Sequence, residues 1–195
     1  VQCCPGGHTR GGNNPPRWRV PAGGRAVRAR RVLVCRCGIT TLAGTTITEN
    51  RRSESAFTSP VSKPLKEILV TGPSAPPLET LESLAGKTVH VRLSSSYAES
   101  IRALNDRLIK QDLAPVRIEA MDESLEDEDL IEMVDAGLLP WAIVDDYKPQ
   151  MWREVFTRTV VRNDLVLRSG GRLAWAVRPS NPKLLQFLNT FVKDN

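Results

Sequence analysis

Three consecutive serines, Ser94, Ser95 and Ser96, separate an alternating run from a helical one, and Glu99 follows Ser96 by three positions. Val89, Val91 and Leu93 alternate with Thr88, His90 and Arg92, which is the period of a strand. Tyr97, Ile101, Leu104 and Leu108 then recur at helical spacing. The chain therefore runs from strand through a tight turn into a helix, with Ser96 and Glu99 at the spacing of a capping box. Such a turn sets hydroxyls and unpaired backbone N–H groups at the positive end of a helix dipole, a cradle for a carboxylate or phosphate. It serves equally as a serine cap with no ligand. A second chemical feature is the apolar run Trp141–Val144, which ends on the carboxylates Asp145 and Asp146.

Other groups carry less. Gly86-Lys87-Thr88 has the ending of a phosphate loop, but Leu81 stands where the upstream glycine belongs, and the triplet precedes a strand. Ser180-x-x-Lys183 lacks supporting motifs and reads as a helix cap. Neither His8 nor His90 has an evident serine or cysteine partner. Cys3, Cys4, His8, Cys35 and Cys37 are a conceivable metal set, yet C-C and C-x-C are not the spacings of common zinc sites. The run Glu126–Asp129 falls in a first helical turn, where acids complement the dipole and stay solvated. The expectation is no catalytic residue, no metal and no cofactor.

Composition divides the chain. The net charge is +5, but the first 48 residues hold eight Arg and no Lys, Asp or Glu, together with all four cysteines. The remainder has 19 basic against 22 acidic side chains. Residues 1–37, rich in Arg, Gly and Pro, read as an atypical segment: a disordered extension or a misassigned start. Without interleaved aromatics they do not argue for nucleic acid. No apolar run approaches the roughly 18 residues of a membrane span, and no continuous apolar stretch makes a signal peptide.

Elements must then place the two features. VRIEA, from Val116, follows the first helix as a strand, completing a βαβ unit. SLEDEDLIEMVDAGLL is a helix with Ser124 and Asp127 as its capping box and Leu130, Ile131 and Val134 inward. Another helix begins near Pro149, and two strands follow in VVRNDLVLR and GRLAWAVR. A last helix runs from Pro182, capped by Asn181, with Leu184, Leu185, Leu188 and Phe191 or Val192 inward. Strands alternating with helices imply an α/β lobe with a mainly parallel sheet. In such sheets ligands sit beyond the strands' carboxyl ends, where both the serine turn and Asp145 fall.

GTTITENRRSESAFTSP, from Gly44, resembles the T-I-T-x-x-R-x-x-x-x-x-F-[ST]-x-P signature of amino-acid-type periplasmic solute-binding proteins, through Thr46, Ile47, Thr48, Arg51, Phe57, Thr58 and Pro60. KPLKEILVTG resembles that family's hinge-crossing strand, and LETLESLAGKTVHVRLSSSYAES its L-x-x-L-x-G-K-x-V-x-V strand and small-hydroxyl turn. The resemblance is nearest to the solute-binding domain of F-type membrane-bound lytic murein transglycosylases and spans about residues 38–191. It implies an α/β, periplasmic-binding-protein-like two-lobed fold, with lobe 2 complete over residues 80–160 and lobe 1 truncated. Residues 38–79 would be the lobe-1 remnant and hinge strand, and 161–195 the return strand and C-terminal helix. It further implies that Arg51 grips a ligand α-carboxylate, with Thr46 beside it and Ser95 and Ser96 donating from lobe 2, while Asp145 accepts from an α-amino group. Asp146 competes if the register slips by one. The ligand would be an amino acid or a muropeptide-like molecule. The location would be periplasmic, and the partner an ABC permease or a fused murein transglycosylase domain. Gly38-x-x-Thr41 stands where the family has G-x-x-D, and Pro140-Trp141 where it has Asp-Ala.

Overall fold

The computed structural model describes residues 44–194. The atypical segment 1–37, with its candidate metal ligands, lies outside them. In chain order the elements are β1 (Thr45–Thr46), α1 (Glu49–Arg52), β2 (Ala56–Phe57) and β3 (Leu65–Thr71), then a 3-10 turn (Leu81–Leu84). Next come β4 (Thr88–Val91), α2 (Ser96–Lys110), β5 (Arg117–Ala120), α3 (Asp127–Asp135) and β6 (Trp141–Asp145). The chain closes with α4 (Lys148–Trp152), β7 (Val160–Gly171), β8 (Leu173–Ala174), β9 (Ala176–Val177) and α5 (Pro182–Asp194).

At the centre is β3, whose residues Ile68, Leu69 and Val70 are wholly buried. It is the middle strand of the sheet β6-β3-β7. Because strand side chains alternate, the sheet builds two cores. Leu69, Trp141 and Ile143 meet Tyr97, Ile101, Leu104 and Leu108 of α2 with Val89 and Val91 of β4. Val70, Ala142 and Val144 meet Leu130, Ile131 and Val134 of α3. Each such aliphatic side chain fully buried contributes about 1.5–3 kcal/mol. The approach of α3 is close: a Cβ on Gly72 would lie 2.2 Å from the Val134 carbonyl oxygen.

The βαβ unit forms as its spacing predicts, with β4 and β5 parallel from Thr88↔Arg117 to Val91↔Ala120. Asn105 of α2 fixes the incoming strand, accepting from Val116 N at 2.7 Å and donating to Val116 O at 3.0 Å. The indole of Trp141 ties β6 to β4 through a 3.0 Å bond to Thr88 O.

Elsewhere the expectation of a mainly parallel sheet fails. β6 and β7 both run antiparallel to β3, as β8 does to β1 and β9 to β2. Alternation in sequence does not choose a strand's neighbour, and β3 draws both of its neighbours from far along the chain. The second run, GRLAWAVR, is split at Trp175, because its halves pair with different strands. Thr58 takes up the interruption, its N–H donating to Trp175 O and its Oγ1 accepting from Trp175 N, both at 3.0 Å.

Two caps also differ. Ser95 rather than Ser96 is the N-cap of α2, accepting from Ala98 N at 3.4 Å. Glu126 and Asp129 box the start of α3, while Ser124 turns back onto Asp122. Asn181 does cap α5, accepting from Leu184 N at 3.3 Å. Yet α5 has no buried residue: Leu184, Leu185, Leu188 and Val192 are half-buried, and the Phe191 ring stacks on Trp175. The strands it lies beside are only two residues long and offer little to cover it. Among the described residues no helix is long and apolar enough to cross a membrane.

Candidate functional site

Sheet and helix ends meet at a cavity of about 220 Å³, lined by residues from α1, the serine turn, the start of α3 and the loop after β6. All five residues singled out from the sequence line it: Thr46, Arg51, Ser95, Ser96 and Asp145. Asp146 does not; its backbone N–H is bonded to Lys66 O at 2.8 Å.

Arg51 sits in the short helix α1, started by Thr48, whose Oγ1 accepts from Arg51 N. Its guanidinium spans two parts of the chain. Nη1 donates to Thr45 Oγ1 at 2.7 Å and to Thr46 O at 2.8 Å, and Nη2 donates to Ser94 O at 2.8 Å. Burial draws this guanidinium below its ordinary value, with Glu99 acting in the opposite direction. Glu99 itself leaves the box expected with Ser96 and accepts from Thr48 and Asn50, each at 3.2 Å.

The serine turn offers backbone more than hydroxyls. Ser95 Oγ caps the helix and donates to Arg92 O at 2.7 Å, so it is engaged twice. Ser96 Oγ points inward, donating to Glu67 Oε1 at 2.8 Å. Glu67 is a buried carboxylate of β3 that also accepts from Ser100 Oγ and pairs with Arg168 at 2.5 Å. What remains for a ligand is the amides of Ser96 and Tyr97, for which the first helical turn supplies no acceptor.

Asp145 ends β6, is 4% exposed, and lies directly across from Glu67 in the sheet. Burial lifts its carboxyl to about 6, helped by the negative charges of Glu67 and Asp127 and opposed by Lys148. Its N–H donates to Tyr97 Oη at 3.2 Å, and that hydroxyl donates in turn to Asp127 Oδ2 at 2.7 Å. Burial, then Asp127 and Asp145, push the Tyr97 phenol well above its ordinary value.

Asp127 corrects the reading of the acidic run as a solvated face. It is 3% exposed and holds two cations, Arg92 Nη2 at 2.5 Å and Lys148 Nζ at 2.7 Å. Burial alone would raise its carboxyl, but Lys148, Tyr97 and Arg92 outweigh burial and hold it below the ordinary range. Burial likewise works against the Lys148 ammonium, and Asp127 more than restores it. Arg92, Tyr97, Asp127 and Lys148 are among the cavity residues that the sequence reading missed. Arg92 was passed over as the polar side of a strand and Tyr97 as an apolar helix position. A signal existed for Lys148, which opens α4 three positions after Asp145 ends β6.

No family model matches the chain. Among curated proteins it is similar to membrane-bound lytic murein transglycosylase F of Saccharophagus degradans, 30% identical over 153 residues, which are 78% of this chain and 29% of that protein. The enzyme of the same name from Ectopseudomonas mendocina is 29% identical over 152 residues, again 29% of its length. The chain thus spans less than a third of these relatives. Among solved structures it resembles an ancestral arginine-binding protein bound to arginine, with a TM-score of 0.62, 20% identity, and coverage of 77% of this chain and 62% of that one. The substrate-binding protein of an amino acid ABC transporter gives a TM-score of 0.62 at 17% identity, with the same coverage. The holo arginine-binding protein of T. maritima gives 0.56 at 23%, covering 77% and 61%. The chain has the periplasmic-binding-protein-like α/β fold of these amino-acid binders, and over 153 residues its sequence resembles the lytic murein transglycosylases F.

Proposed function

We propose that this chain is an extracytoplasmic, periplasmic solute-binding module that takes an amino acid or small peptide-like ligand by its carboxylate and amine. Arg51 and the first amides of α2 receive the carboxylate, Thr46 and Ser95 frame that end, Ser96 contributes through its amide, and Asp145 receives the ammonium. The observation that carries this reading is one small cavity lined by a guanidinium, a helix N-terminus and a buried carboxylate. That is the complement of a zwitterion. A volume below the roughly 300–1,000 Å³ of drug-sized sites suits one small molecule. In this reading residues 80–160 form lobe 2, the flanking segments 38–79 and 161–195 contribute lobe 1 and the hinge, and an ABC permease is the partner.

The similarity to the transglycosylases favours one second reading, a ligand-sensing domain of a cell-wall enzyme whose ligand is a muropeptide fragment. Calorimetry with free amino acids on one side and a muropeptide on the other separates the two. For either, Arg51→Ala removes a charge-assisted pair worth about 1.5–3 kcal/mol, so affinity should fall about ten- to a hundredfold. Unchanged affinity in that variant refutes the assignment.

A further inference from the structure

Beyond the zwitterion grip, the cavity has a second charged wall, built from Arg92, Glu126, Asp127 and Lys148. Its acceptors and donors are unequally spent. Each oxygen of Asp127 already carries a charged donor, Arg92 on Oδ1 and Lys148 on Oδ2, and Tyr97 adds a further donor to Oδ2. The Glu126 side chain is 63% exposed at the rim and meets Arg92 Nη1 at 3.4 Å. The donors are only partly used. Lys148 carries three N–H bonds, of which one is directed at Asp127. Arg92 carries five, of which one on Nη1 meets Glu126 and one on Nη2 meets Asp127, leaving a further N–H on each.

This wall therefore asks for an acceptor: its two cations and two carboxylates balance, and its surplus lies in the charged N–H donors. We infer that the ligand carries a second carboxylate on its side chain, as in a glutamate-type dicarboxylic amino acid, and that Lys148 and Arg92 receive it. The inference rests on the zwitterion reading of Arg51 and Asp145, since it concerns what lies beyond them. A cationic side chain would meet two cations held in place by Asp127. A neutral amide would satisfy the donors without using the charge. The order of affinity is thus dicarboxylate, then amide, then cation.

The test is titration calorimetry of the chain near pH 7.5 with L-glutamate, L-aspartate, L-glutamine and L-arginine. Glutamate or aspartate should bind more tightly than glutamine by about tenfold or more, the scale of one charge-assisted contact, with arginine the weakest. In Lys148→Met the preference over glutamine should collapse, the dicarboxylates losing more affinity than glutamine, and Lys148→Arg should keep most of the preference. Glutamine or arginine binding as tightly as the dicarboxylates in the unaltered chain overturns this inference and leaves the zwitterion reading standing. That ranking does not depend on any variant folding. Failure of all four to bind overturns both.

Discussion

Asp145 has a pH signature that is unusual for a carboxylate. Its carboxyl moves from an ordinary 3.8 to about 6, so between those values the folded state holds a proton that the unfolded chain has lost. Stability from this group is therefore greatest below about pH 4 and falls as pH rises to 6. Two units correspond to about 3 kcal/mol lost at neutral pH. Asp127 works the other way: its lowered carboxyl stabilises above the ordinary value, and that contribution is lost as pH falls through the lowered one. Asp145→Asn should raise the urea midpoint at pH 7.5 and flatten the pH dependence between 4 and 6, while removing ligand binding. A lower midpoint would show that the ionised group is not the burden its surroundings make it. In the unaltered chain an ammonium ligand needs the ionised form, so affinity should weaken by up to tenfold per unit below pH 6. At this scale the sequence was informative about residues at strand ends and mute about Asp127. An acid inside an acidic run shows its burial only when Arg92 and Lys148, 35 positions before and 21 after it, are seen to converge.

Among the elements, those with local causes were legible. The βαβ unit and the inward faces of α2 and α3 follow from the spacing of Ile101, Leu104 and Leu108, and of Leu130, Ile131 and Val134, all of which are buried. The neighbours of β3 were not legible, because a strand buried on both faces reads as a plain apolar run whatever its partners are. The caps slipped by one or two positions because adjacent Ser95 and Ser96, or Ser124 and Glu126, have similar capping chemistry. Gly72 was also silent, and its role belongs to the joint between β3 and α3. Its N–H donates to Pro140 O at 2.9 Å, and the Val134 carbonyl occupies the space a side chain would take. Gly72→Ala should therefore push α3 off the sheet and lower unfolding free energy by about 1–3 kcal/mol, or more, in urea denaturation. A loss below a few tenths would mean that α3 moves aside without cost.

For the molecule as a whole, the order in which β3 finds its neighbours has a consequence during synthesis. The strand is made by Thr71, β6 pairs with it only from Trp141, and β7 only through to Gly171. At about 5–20 residues per second, a segment of high strand propensity waits roughly 5–20 s for its second edge to be covered. Through that interval LKEILVT is a ready template for another nascent copy of itself. Lys66 and Glu67 interrupt it with charge. In the finished protein Glu67 is buried with Ser96, Ser100 and Arg168, but on the growing chain it stands alone as a gatekeeper against strand-to-strand association. Glu67→Leu should therefore move freshly synthesised protein into the insoluble fraction to a greater extent than the equilibrium stability of its purified, refolded form accounts for. Equal soluble yields for the variant and the unaltered chain would assign the carboxylate to the folded state alone. A carboxylate bonded to Ser96 of the cavity lining would thus first keep the chain apart from its own copies until the sheet closes over it.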